Sequence, residues 1–239
     1  MRNYVKAELL KQKRCFSNIL VFGMPIVTLF IAYVLSPYYI QTMAFNFWYI
    51  LLLPFTFSFI ASTMIKRERK YHIHGLFGIV EDKKKLWYGK VIIAIGYLFV
   101  TCMIFGILNI ACGLLLNEQI TPLSAIKASL VLVVTFAWQI PLYMMLALKT
   151  SVIVSLIVSI GCNFLVACIC AVGQFWWIPF AIPARLMCSV INVMPNGLLL
   201  EQTNPFASGR IIAVGILISI ALFFLVTYMT AKLFERQEA

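Results

Sequence analysis

Between Phe16 and Phe234 the chain is a succession of apolar runs, and none of them holds an aspartate or a glutamate. All eight acids, Glu8, Glu68, Glu81, Asp82, Glu118, Glu201, Glu235 and Glu238, fall between the runs or beyond them. A hydrocarbon layer is crossed by a helix of about 20 residues. A segment in lipid must also satisfy its own backbone hydrogen bonds, so each run predicts a helix. With 239 residues, 63% of them hydrophobic and 11% charged, six such spans fill the chain and leave no room for a separate soluble domain. The expected fold class is an all-α polytopic membrane protein, with residues 1–239 forming one transmembrane domain.

The predicted spans are Phe16 to Leu35 with Pro25 inside it, Phe47 to Ile65 with Pro54, and Val91 to Leu116. The others are Lys127 to Leu148 with Gln139 and Pro141, Val152 to Val172, and Ile211 to Phe234. Ser36 to Asn46 and Asn117 to Ile126 read as outer loops, and Lys149-Thr150-Ser151 as an inner turn. Residues 1–18 suit an interfacial helix. Val5, Leu9 and Phe16 share one face at helical spacing, with Arg2, Lys6, Lys13 and Arg14 around them. A solvated basic tail is the alternative. Residues 173–209 are apolar but broken by Pro179, Pro183, Pro195 and Pro205 and carry Arg185. They predict two short helical pieces dipping in as a re-entrant outer hairpin before the sixth span, since broken backbone at membrane depth is tolerated where protein buries it.

Charge orients this layout. With both termini inside, cytoplasmic segments collect sixteen of the nineteen Lys and Arg and leave Lys127, Arg185 and Arg210 outside. The same bias accounts for the net charge of +11 without a nucleic-acid partner. Seven cysteines are an odd set, five of them in apolar runs, and imply packing rather than a disulfide framework or metal site. The start of the chain is too basic to read as a cleaved secretory signal.

One long polar segment, residues 66–90, interrupts the apolar pattern between the second and third spans. It carries eight of the nineteen Lys and Arg, both histidines and a short apolar island, Gly75-Leu76-Phe77-Gly78. The spans offer no buried acid for ion coupling and no His or carboxylate to serve a nucleophile, and the chain holds no Gly-rich phosphate loop. A chain with no chemistry and no motor of its own must be driven by another. An apolar island between charged ends can dock in a soluble partner's groove. Leu76 and Phe77 would be the anchors, with Glu68, Arg69, Lys70 and His74 as the polar rim. The bland alternative is a solvated positive-inside loop. His72 and His74 lack a third ligand, so no metal site is expected.

This arrangement of an entry helix, two spans, a cytoplasmic coupling helix, further spans and an apolar hairpin before the last resembles the transmembrane subunit of a type-2 ABC exporter. The phrases FWWIPFAIPARL at Phe175 to Leu186 and VMPNGLL at Val193 to Leu199 are similar to the lantibiotic-immunity permeases of the MutE/EpiE group. The resemblance implies a permease in the plasma membrane of a Gram-positive bacterium, with ATP and Mg bound by separate ATPase subunits and no cofactor on this chain. It implies a second permease subunit, a sister or a copy, and a cationic antimicrobial peptide as substrate, expelled to give immunity. By position, Glu68 matches the acid that opens the coupling helix and Gly75 to Gly78 its ATPase-facing turn. Val80-Glu81-Asp82-Lys83 departs from the proline-led turn usual there. Phe175, Trp176, Trp177 and Asn196 are the candidates for the substrate path, with interfacial anchoring as the alternative for the tryptophans. Asn109, Gln139 and Asn163 are expected to join helices. Other readings are a permease for a drug, lipid or polysaccharide precursor, and a non-transporting immunity protein.

Overall fold

A computed structural model describes residues 2–13, 15–70, 82–200 and 209–236, with the side chains of 67–70 excepted. Ten α-helices are described. They are α1 Arg2–Gln12, α2 Phe16–Leu35, α3 Ile40–Phe47, α4 Leu53–Lys70, α5 Lys83–Leu115, α6 Pro122–Ala137, α7 Gln139–Lys149, α8 Val152–Cys170, α9 Ile182–Ile191 and α10 Arg210–Glu235. Five stretches are long and apolar enough to cross a membrane: α2, Pro37–Lys66 taken through α3 and α4, α5, α8 and α10. The pair α6 and α7 passes the same test only when taken together, across a bend of 42°.

Two prolines explain the two irregularities. Pro54 has no N–H, so the Ile50 carbonyl loses its usual partner. Just before it the helix widens to a π-turn over Trp48–Leu52, in which the Leu53 N–H donates to the Trp48 carbonyl five residues back. Pro141 stands four residues after Ala137, its ring crowding that carbonyl, and there α6 gives way to α7.

The helices share two ends. At the basal end lie α1, the start of α5 and the end of α10, where Lys84 Nζ meets Glu235 Oε2 at 3.0 Å. At the distal end lie the turn before α3, the end of α5 and the start of α6. Of the five stretches, Pro37–Lys66 is the most enclosed, whereas α8 and α10 turn most of their surface outward. What α8 buries is a single stripe, Ser155, Ser159, Asn163 and Ala167, four residues apart. Small and polar side chains in that register let α8 lie close on α4 and bond to it. Ser62 Oγ donates to Ser155 Oγ at 2.9 Å, and Ser159 Oγ donates to the Pro54 carbonyl at 3.0 Å.

Several boundaries differ from the sequence reading. Ser36 to Asn46 is mostly helical, because its polar side chains are paired inside the fold rather than by water. Gln41 Oε1 accepts from the backbone N–H groups of Gln119 and Ile120 at 2.7 and 3.0 Å. Its Nε2 donates to the Asn109 carbonyl at 3.1 Å. The polar segment 66–90 is shorter than expected: its last eight residues are the opening turns of α5, where Asp82 Oδ1 caps the helix by accepting from the Lys85 N–H at 3.1 Å. The N-terminal helix stops at Gln12, Phe16 belongs to α2, and the face that α1 buries is Glu8 and Gln12 while Leu9 stays exposed. In the expected hairpin the described residues hold one helix, α9, and not two. Beyond Asn192, left-handed at φ 53°, the chain makes a tight turn bridged between Val193 and Leu199.

Candidate functional site at a broken helix

The break between α6 and α7 gathers side chains from four elements. Trp138, at the break, is buried, and Phe180 lies edge-on to it with ring centroids 5.0 Å apart. Gln139, the next residue, exchanges two hydrogen bonds with Asn163 of α8: Gln139 Nε2 donates at 3.1 Å and Asn163 Nδ2 donates back at 2.9 Å. This reciprocal amide pair satisfies both groups where water is absent, as expected for a bond between helices. Ser155 Oγ donates to the Tyr143 carbonyl at 3.2 Å, extending the same seam toward the basal end. Trp138 Nε1, buried at the break, has no hydrogen-bond partner among the described residues.

Phe180 comes from residues 171–181, a run of turns that leads from α8 into α9. Its backbone is held by short bonds, Ile178 N–H to the Phe175 carbonyl at 3.1 Å and Ala181 N–H to the Ile178 carbonyl at 2.8 Å. The turns seat Phe180 on Trp138 and leave Phe175 and Trp177 outward, 59% and 55% exposed, with Trp176 half-buried. The three expected aromatic residues therefore stand together in one surface run, one step from the break. From there α9 runs buried, with Arg185 only 4% exposed. Arg185 therefore lies inside the protein rather than in an outer loop.

Asn196 belongs to a different place. It sits exposed in the turn after α9, where its Oδ1 accepts from the Leu198 N–H at 3.1 Å and so shapes the turn. Gly197 follows at φ +84°, a conformation suited to glycine. Asn46 Nδ2 holds this turn against α3 by donating to the Pro195 carbonyl at 2.5 Å. Among the described residues no hydrogen bond or ring contact joins Asn196 to the three aromatics.

Of the expected docking residues, Glu68, Arg69 and Lys70 are described as backbone only, at the end of α4, and His74, Gly75, Leu76, Phe77 and Gly78 lie outside the described residues. What borders them at the basal end is built on charge. Glu8 Oε2 accepts from Lys90 Nζ at 2.7 Å with both side chains at most 1% exposed, and Glu8 Oε1 accepts from Lys11 at 2.6 Å. Burial works to raise the Glu8 carboxyl, but Lys90 and Lys11 outweigh it and hold it below the ordinary value. Asp82, at the start of α5, is lowered by its hydrogen bonds to Lys85. Among the described residues no cluster of His, Cys, Asp and Glu is able to hold a metal ion.

Trp138, Phe180 and the Glu8–Lys90 pair were not singled out by the sequence reading. Pro141, four residues beyond Ala137, was the available signal for the first; nothing local announces the other two. Comparison with protein-family models, with curated proteins and with solved structures finds no match to this chain.

Proposed function

We propose that this chain is the transmembrane subunit of an ATP-driven exporter of the type-2 ABC class, expelling cationic lantibiotic-type peptides and so giving immunity. In this reading it lies in the plasma membrane with both termini cytoplasmic, and a separate ATPase binds ATP and Mg. A second permease subunit, sister or copy, completes the path. The observation that carries the reading is the broken helix stoppered by Phe180 on Trp138, with Phe175 and Trp177 exposed beside it. Discontinuous helices with buried polar groups at the break are where membrane carriers bind and gate. Here the break is sealed by one aromatic contact and one amide pair, both able to part without ionising. Charge segregation supports the orientation: the cations cluster at the basal end, and Lys127 and Arg210 stand at the distal one.

In the mechanism, ATP closes the motor subunits, the segment carrying Leu76 and Phe77 moves with them, and the half-helix α7 swings on the hinge at Trp138. Phe180 then leaves Trp138 and opens a way to the exposed aromatic run, where a cationic amphipathic peptide meets ring faces. The test is genetic and biochemical together. Deleting the chain is expected to sensitise its host to a lantibiotic-type peptide and to leave sensitivity to unrelated small drugs unchanged. Leu76→Ala with Phe77→Ala is expected to insert normally, lose the ATPase on purification and no longer protect. Equal sensitisation to dyes and detergents would replace the peptide by a drug or lipid substrate. Protection that persists with no ATPase bound would make the chain a non-transporting immunity protein.

A further inference from the structure

At the distal end the helices α6, α9 and α10 enclose a cleft of about 410 Å³, open on one side. On α6 it is lined by Ser124, Lys127, Leu130 and Val131, which share one face at spacings of three and four residues. Because α6 begins at Pro122, Ser124 and Lys127 lie in its first turns and Leu130 and Val131 a turn deeper. The other walls are Ser189 and Val190, at the end of α9, and Ile212, in the first turn of α10. The cleft is thus polar and cationic at its mouth and apolar below. Lys127 is exposed, and no carboxylate among the described residues pairs with it. The apolar floor continues onto outward side chains of α6 and α10, Leu130, Val214 and Leu217.

We propose that this cleft holds an anionic phospholipid of the adjoining leaflet, its phosphodiester against Lys127 and the serine hydroxyls and one acyl chain over Leu130, Val131 and Val190. The gradient of polarity along α6 matches a lipid standing in its own leaflet, headgroup level with the helix start and chain along the apolar turns. The single cation selects a net negative headgroup over a zwitterionic one, whose own ammonium competes for the phosphate. It equally repels a cationic peptide, so this site is distinct from the export path and stands whether or not that reading holds.

The full chain, purified in neutral detergent, is titrated with dioctanoyl phosphatidylglycerol, dioctanoyl phosphatidylcholine or inorganic phosphate, and lipid adducts are counted by native mass spectrometry. Phosphatidylglycerol is expected to bind one per chain and more tightly than phosphatidylcholine, with no adduct from inorganic phosphate. Lys127→Gln, an exposed substitution that leaves the packing intact, is expected to weaken phosphatidylglycerol about five-fold, the effect of one basic residue near a charged lipid. Lys149→Gln, at the basal end, is expected to change nothing. Val131→Trp, filling the floor, is expected to weaken phosphatidylglycerol in a chain whose unfolding temperature is unchanged. Undiminished binding by Lys127→Gln, or phosphatidylcholine bound as tightly, would overturn the proposal. Phosphate bound alone would reduce the site to an anion site, and a dimer dissociated by Val131→Trp would make the cleft a protein contact; either result also overturns it.

Discussion

The two ends of the helical bundle are fastened by different chemistry. At the basal end ionic contacts join Glu8 with Lys90 and Lys11, and Lys84 with Glu235, beside one neutral bond from Trp87 to Thr230. At the distal end they are neutral amides and carbonyls: Gln41 with Asn109, Gln119 and Ile120, Gln119 Nε2 with the Tyr38 carbonyl, and Asn46 with Pro195. An ion pair depends on protonation and, where exposed, on salt, whereas an amide bonded to backbone responds to neither. The basal fastening is therefore open to adjustment by pH and the distal one is not. The proposed motor would engage the adjustable end.

The largest effect expected is from Lys90→Met, which leaves Glu8 charged and buried without its main partner and costs about 3–5 kcal/mol. Hydrogen exchange should show α1 losing protection while residues 38–46 keep theirs. Adding Glu8→Leu to Lys90→Met should restore protection, since an apolar pair replaces a buried ion pair without that penalty. Equal loss at both ends would dissolve the distinction drawn between them.

Gln41→Leu is the counterpart at the distal end. It strands the buried Ile120 N–H and the part-buried Gln119 N–H and should cost about 1–3 kcal/mol, the range for one buried donor left unpaired. The expected signature is faster exchange at residues 117–121 with α1 unchanged, at low and high salt alike.

A smaller effect follows from acid. The Glu8 carboxyl is held below the ordinary glutamate value of 4.5. Its contribution is present above that value and is lost as pH falls through the depressed one. Exchange corrected for its intrinsic rate should therefore show α1 loosening below pH 4.5, with the Gln41 contacts steady. The change should be milder than in Lys90→Met, because a protonated Glu8 remains in place to hydrogen-bond. Smallest of all should be Lys84→Gln. Lys84 and Glu235 are 44% and 47% exposed, so water screens the pair, and thermal unfolding should hardly move.

How far the sequence foretold this molecule depends on how local each signal is. Apolar length and periodicity are local, and α2, α8 and α10 begin and end within a residue or two of the expected bounds. Turn chemistry is local too: Pro195-Asn196-Gly197 spells a turn, and reading that stretch as a second helical piece overlooked it. Gln41, Thr42 and Asn46 were assigned to a loop because polar residues in an apolar chain suggest water. The partners of Gln41 and Asn46 stand 68 to 149 residues away, while the Thr42 hydroxyl donates locally to the Tyr39 carbonyl. Lys90 was assigned to solvent for the same reason, with its partner Glu8 82 residues distant. Of the candidate site, the exposed aromatic run Phe175 to Trp177 was legible. Its connection to the α6–α7 break through Phe180 was not, because a ring contact between distant residues leaves no pattern in either segment.

The length of α5 has a mechanical consequence. Its 33 residues make a rod of about 50 Å, well beyond a hydrocarbon layer of about 30 Å. Both fastenings grip it. Glu8 and the Thr230 hydroxyl hold its basal turns, through Lys90 and through Trp87 Nε1 at 3.1 Å, and Gln41 holds it at Asn109 near the other extremity. A stiff rod that pivots on one of its two grips works as a lever. A tilt of about 5° about Asn109 carries the basal tip, about 40 Å away, through about 3 Å. Asp82, which caps that tip, follows directly on the polar segment of Leu76 and Phe77. In the proposed mechanism a push of a few ångströms on that segment would tilt α5 about the Gln41 pivot and carry α1 and the end of α10 with it.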